Sequence, residues 1–426
     1  MQASELPFCM YRSRSEFRLA KGLVILIFLL ILSNPIVTAV DTTNIAVALA
    51  VVAMSLTITL GVSRHLLNSA LVVLIFAALT SLIIVAGALR TNEIGDAIYY
   101  VAILLFWPIF WLVMFARYSP LVFFSILPTI YFLVTVVAVL SFMQFFLSPT
   151  LWGLLEYPSQ SLEWASGSDF DSYKVYFRAS SLLGSPQVLS LVCATFTVLV
   201  VVDSAVRPAL KLLYVPVILG GAFLSGSKAV VFLLGIAFVV MFIAKVFKGN
   251  INKSRVFLLA IAVPAVIWIV HLFFEQIISI VPTSQRMFDL HGAIVQEQGD
   301  SRIDRFIRSF SETNPLVGHG YTHTMFRDIT GFRAAESFIA KLYFHAGILP
   351  TLLLVLFFYT AYTKYLGPHK NLIKMGTIVI FSSLFVSTAL ESTAMYPIWG
   401  LIVAGCVSSP CPITIRQPLM ANQCKD

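Results

Sequence analysis

Three arginines recur at a spacing of three: Arg302, Arg305 and Arg308. Over 301–310, Ile303, Phe306, Ile307 and Phe310 stand at i, i+3, i+4 and i+7, the apolar stripe of a short amphipathic helix. Ser301 with Asp304 fits a capping box, and Asn314 before Pro315 fits a helix stop. The arginines then fan across the polar face. A guanidinium fork matches the geometry of phosphate and carboxylate, so this row could hold a diphosphate or an acidic sugar. The same row also fits a helix lying on anionic headgroups, or a solvated face paired with Asp304 and Glu312.

Further candidates surround this helix in the sequence. Residues 314–320 read Asn-Pro-Leu-Val-Gly-His-Gly, so Gly318 and Gly320 flank His319. Such a turn could present His319 and backbone N–H groups to a substrate, or simply lead into the next helix. Glu336 opens an apolar run, where desolvation favours a protonatable carboxylate suited to general-base work. An acid at a helix start also complements the helix dipole. Lys228 follows Ser-Gly-Ser at the edge of another apolar run, where a base needs a partner or must snorkel. Arg178 closes a stretch in which Trp152, Tyr157, Trp164, Tyr173, Tyr176 and Phe177 alternate with acids. That mixture suits either a sugar-binding surface or an aromatic belt at a membrane interface. His319 and His323 are four apart, but no acid or cysteine completes a metal set, and none is expected.

The elements that must position these residues follow from composition. Of 426 residues, 59% are hydrophobic and 11% charged, with a mean hydropathy of +0.91. Soluble domains carry about 25% charged residues, so the polar surface is too small to cover a globule of this size in water. The expectation is an all-α integral membrane protein with about twelve transmembrane helices. Candidate spans run over 22–40, 45–62, 68–89, 97–116, 120–147, 186–206, 210–224, 228–246, 256–275, 338–362, 372–390 and 394–409. Residues 1–147 form an N-terminal bundle of about five spans. Polar inserts occupy 148–185 and 276–337, separated by spans six to nine over 186–275. Spans ten to twelve fill 338–409, and 410–426 is a tail.

Charge sets the sidedness. With both termini inside, 17 of the 28 Lys and Arg fall on inner segments beside only Glu5, Glu16, Asp203 and Asp426. The net +8 thus divides into +13 inside and −5 outside, as the positive-inside rule requires. The excess is a topology signal and not a nucleic-acid footprint. Both inserts, and every candidate residue above, then lie on the outer face. The five cysteines include no Cys-x-x-Cys pair and make no disulfide framework.

Taken in order, these pieces resemble the bacterial O-antigen polymerase and O-antigen ligase family, including Wzy-type and related exopolysaccharide polymerases. The resemblance covers roughly residues 175–365. It rests on Arg178 with Gly184-Ser-Pro-Gln187, Ser225-Gly-Ser-Lys228, Arg302 with Phe306, the 314–320 motif, and Glu336-Ser337 followed by His345-Ala-Gly-Ile-Leu-Pro350. The family spacing of arginine, nine residues and glycine is met by Arg308 and Gly318. Two departures stand out. Lys228 replaces an arginine common in the family, keeping charge but not the fork. Glu336-Ser337 stands where ligases typically show His-Asn, which favours a polymerase.

The resemblance implies a GT-C-like fold with a large helical periplasmic loop. It implies metal-independent glycosyl transfer without a cofactor, in the bacterial inner (cytoplasmic) membrane. The substrates would be oligosaccharide repeats on undecaprenyl diphosphate, destined for O-antigen, capsule or exopolysaccharide. Arg302, Arg305 and Lys228 would stabilise the diphosphate, Glu336 would act as base with His319 second, and Arg178 would hold the second substrate. Arg308, Gly318 and Gly320 would complete the binding loop. Membrane lipid, a chain-length regulator and a flippase are the partners implied; nucleic acid is not. A ligase passing glycan to lipid A core and a lipid-linked-oligosaccharide flippase are the alternatives.

Overall fold

Long apolar runs fold as helices because only a helix satisfies its own backbone groups where water is scarce. The structure, a computed structural model, describes residues 14–33, 42–61, 71–91, 94–146, 179, 181–183, 185–227, 233–240, 307, 309–311, 313, 315–316, 318–319, 337–365, 367–385, 387 and 392–407. Helix dominates these residues, with no strand among them. The first five helices are α1 (Arg14–Ser33), α2 (Thr42–Thr59), α3 (Leu71–Thr91), α4 (Ile94–Tyr118) and α5 (Leu121–Phe146). After the expected insert over 148–185 come α6 (Pro186–Val202) and α7 (Pro208–Leu224). The C-terminal part holds α8 (Phe338–Ala346), α9 (Ile348–Lys364), α10 (Lys370–Ser383) and α11 (Tyr396–Cys406). Residues 233–240 are also helical, inside the expected span over 228–246. The expected span over 256–275 lies outside the described residues.

Among the described residues, Thr42–Thr59, Ala97–Tyr118 and Leu121–Phe146 are long and apolar enough to cross a membrane. Other helices are apolar but shorter, including α6, α7 and α9. Large apolar side chains face outward, among them Leu82 at 65% exposure and Leu212 at 79%, as a lipid-facing surface would require. α4 is central: it packs against α2, α3 and α11. Trp107, Phe110 and Trp111 of α4 surround Tyr396 at the start of α11. The Trp111 indole N–H donates to the Tyr396 carbonyl at 2.7 Å, so the polar edge of this buried ring is satisfied.

At one end of the bundle, Arg117 of α4 pairs with Glu16 of α1 at 3.1 Å and donates to the carbonyls of Leu60 and Gly61 after α2. Three chain ends that the charge pattern assigns to one side therefore meet. At this end Asp203 also caps α6, buried beneath the Tyr131 hydroxyl at 2.9 Å and the Ala205 N–H at 2.9 Å. His369, at the start of α10, stacks on Phe124 at 4.0 Å. Burial pushes its pKa below the ordinary histidine value, and the nearby Asp203 charge partly opposes this.

Several expected boundaries shift. α1 begins at Arg14, so Arg18 and Lys21 are helical where a span from 22 was expected. The single helix expected over 338–362 is two, α8 and α9, broken at Gly347. α10 ends at Ser383, well before 390, because the Leu384 carbonyl is taken by Ile339 N–H at 3.1 Å and by Ser337 Oγ at 2.9 Å.

Candidate functional site

A helix broken inside a bundle leaves carbonyls and N–H groups that need partners. The break at Gly347 finds them in the loop that carries His319. The His319 N–H donates to the Phe344 carbonyl at 2.8 Å, and the Ile348 N–H donates to the Pro315 carbonyl at 2.8 Å. Gly347 donates back to Tyr343, and Thr351 Oγ1 donates to the Gly347 carbonyl. The two glycines are required by this closure. Gly318 has φ +63 and Gly347 φ +78, both in the left-handed half of backbone space. A Cβ on Gly318 would come within 2.6 Å of the His345 backbone, and one on Gly347 within 2.7 Å of the Leu316 carbonyl. The motif at 314–320 and the motif at 345–350 are thus two halves of one hydrogen-bonded unit.

A short helical stretch over 309–311 of the large insert leans on this unit. Phe310 stacks on Tyr343 of α8 with centroids 4.5 Å apart, and Thr313 Oγ1 donates to the Ser309 carbonyl. The half-buried His319 ring lies 4.7 Å from Phe344. One expectation is corrected here. The His319 N–H bonds the Phe344 carbonyl, so it is not presented to a substrate.

Ser337, the residue after Glu336, is the N-cap of α8. Its Oγ accepts from Ala340 N–H, while Phe338 N–H donates to the Ser387 carbonyl. α8 thus starts at Phe338, where the span over 338–362 was expected to begin, because serine caps well and anchors the end to the turn after α10. Farther along, the Ala179 N–H donates to the Leu224 carbonyl at 3.1 Å. Ser181 N–H donates to Gln144 Oε1 at 2.8 Å, and Ser181 Oγ to the Val137 carbonyl at 2.6 Å. The residue after Arg178 is therefore bonded to the residue before Ser225-Gly-Ser, joining the neighbours of two further motifs.

Of the expected site residues, Gly318 and His319 are described and stand together at the helix break. Arg178, Lys228, Arg302, Arg305, Arg308, Gly320 and Glu336 lie outside the described residues. One cluster escaped the sequence reading. Lys341 Nζ sits 4.9 Å above the Tyr100 ring, and Tyr100 meets His345 edge-on at 5.7 Å. The available signal was the i, i+4 placement of Lys341 and His345 in an apolar run. Among the described residues, no three His, Cys, Asp or Glu side chains group as metal ligands. No protein-family model matches the chain, and no curated protein matches it.

Proposed function

We propose that the chain polymerises undecaprenyl-diphosphate-linked oligosaccharide repeats at the outer face of the bacterial inner membrane. The observation that carries this reading is the closure of 315–319 onto the α8–α9 break, which makes one unit of two motifs that resemble the polymerase and ligase family. The Ala179 to Leu224 hydrogen bond supports it further, since it joins the residue after Arg178 to the residue before the Ser225-Gly-Ser-Lys228 motif. The fold proposed with it has about twelve spans in a GT-C-like arrangement, both inserts outside and both termini in the cytoplasm.

In the proposed reaction, the anomeric carbon of the donor glycan loses its bond to the lipid diphosphate. It gains a bond to a hydroxyl oxygen of the acceptor repeat. Glu336 takes the hydroxyl proton, with His319 as the second candidate. The bonding electron pair leaves with the diphosphate, whose growing negative charge Arg302, Arg305 and Lys228 stabilise. Arg178 holds the second substrate.

Surface glycan in a strain lacking the chain tests the class. A polymerase null leaves single repeats on the core. A ligase null leaves polymer unattached, and a flippase null traps repeats on the inner leaflet. Complementation with Arg302→Ala or Arg305→Ala should give inserted protein without polymer, and Arg302→Lys a partial product, since charge survives without the fork. Normal-length polymer from both alanine variants would sink the role of the arginine helix.

A further inference from the structure

We propose that an anionic phospholipid occupies a groove along α1, with its phosphate on Arg18 and an acyl chain over Gly22. The inference is independent of the polymerase reading. The groove, about 620 Å³, is lined by Ser15, Arg18, Leu19, Gly22, Leu23 and Leu26. These positions step by three and four, so they share one face of the helix. On that face Leu19 is 74% exposed and Leu26 46%, and a Cβ on Gly22 would meet nothing within 4 Å. The glycine is thus an open notch between leucines and not a close helix contact. Val24 and Ile27, off this face, are fully buried against the bundle.

Polarity changes in one direction along the groove. Ser15 and the exposed Arg18 stand at the end nearest the start of α1, and the half-buried Lys21 is i+3 from Arg18. Past Gly22 the lining is all leucine. From Ser15 to Leu26 the helix rises about 16 Å. That is close to half of a hydrocarbon core about 30 Å thick, the depth of one leaflet. A phospholipid has the same layout, with its charge at the rim and its chain below. Glu16, the acid nearest in sequence, is turned to Arg117 of α4 at 3.1 Å. A guanidinium fork matches two phosphate oxygens. A second copy of the chain suits the groove less well. Copies in one membrane share an orientation, so a two-fold contact through Gly22 would set Arg18 against Arg18. Like charges facing across a contact oppose association, whereas a lipid phosphate brings the opposite sign.

The purified full chain in detergent can be titrated with phosphatidylglycerol, and with phosphatidylcholine of the same acyl chains, bound lipid being counted by native mass spectrometry. Wild type should bind phosphatidylglycerol about fivefold more tightly, the worth of one cation near an anionic headgroup. Arg18→Gln should remove most of that preference, and Arg18→Lys should keep part of it. Gly22→Leu fills the notch and should weaken both lipids severalfold while leaving their ratio. A phosphatidylglycerol with a photoactivatable acyl chain should label wild-type α1 between Leu19 and Leu26. The proposal is overturned if wild type binds the two lipids equally, if Arg18→Gln keeps the full preference, if Gly22→Leu binds like wild type, or if the label misses α1. It is also overturned if wild type is a dimer that Gly22→Leu dissociates, since the groove would then belong to a second copy. Should Gly22→Leu not elute as native protein, the position of the photolabel decides.

Discussion

Asp203 has almost no contact with solvent, and its two carboxylate oxygens each take a donor, from Tyr131 and from the Ala205 N–H. Removing one donor from a buried carboxylate costs far more than the bond itself contributes. Tyr131→Phe should therefore destabilise the protein by about 1–3 kcal/mol, read as a lowered melting temperature in detergent. An unchanged melting temperature would mean that another group covers Asp203. In the proposed reaction, Glu336 is the base. Glu336→Gln should lower polymer formation by about 10²-fold, the usual worth of general-base help, while Glu336→Asp is milder. His319→Ala is the comparison. Its ring packs on Phe344, but its backbone bond survives the substitution. If the glutamine variant is fully active and the histidine variant dead, the two roles are exchanged.

At the scale of elements, the α8–α9 break explains why Pro315 and His319, distant in sequence, are bonded to Ile348 and Phe344. Gly318→Ala should destabilise by about 2 kcal/mol or more, combining the left-handed backbone cost with overlap on the His345 backbone. Gly347→Ala should behave alike. Gly22→Ala is the control, since a Cβ there meets nothing within 4 Å and α1 gains helix propensity. Thermal aggregation of the detergent-solubilised variants checks all three. Equal stability of Gly318→Ala and Gly22→Ala would remove the break from the argument. The sequence made the helices legible because an apolar run of this length has few other ways to satisfy its backbone. It hid the break at Gly347, because a glycine in an apolar run is also tolerated within membrane helices. The early end of α10 was hidden for a similar reason. The groups that compete for the Leu384 carbonyl come from Ser337 and Ile339, distant in sequence.

For the whole molecule, sidedness can be tested directly. Ala165→Cys and Val295→Cys should each be labelled by an impermeant thiol reagent in intact spheroplasts. Cys193 and Cys406 are buried and should contribute little background. Protection of either introduced cysteine would overturn the outer placement of that insert, and with it the proposed site. The amino-acid sequence by itself determined the helical class, the apolar exterior and the charge asymmetry, because these depend on composition and on local order along the chain. It also marked Gly318 and His319 as neighbours of interest. Only the tertiary structure decided that their loop completes the α8–α9 break, that Ser337 anchors α8 to the turn after α10, and that Lys341 rests on Tyr100. Each of these is a pairing between distant segments, fixed by which unsatisfied carbonyl, N–H or ring face the packed helices bring within reach.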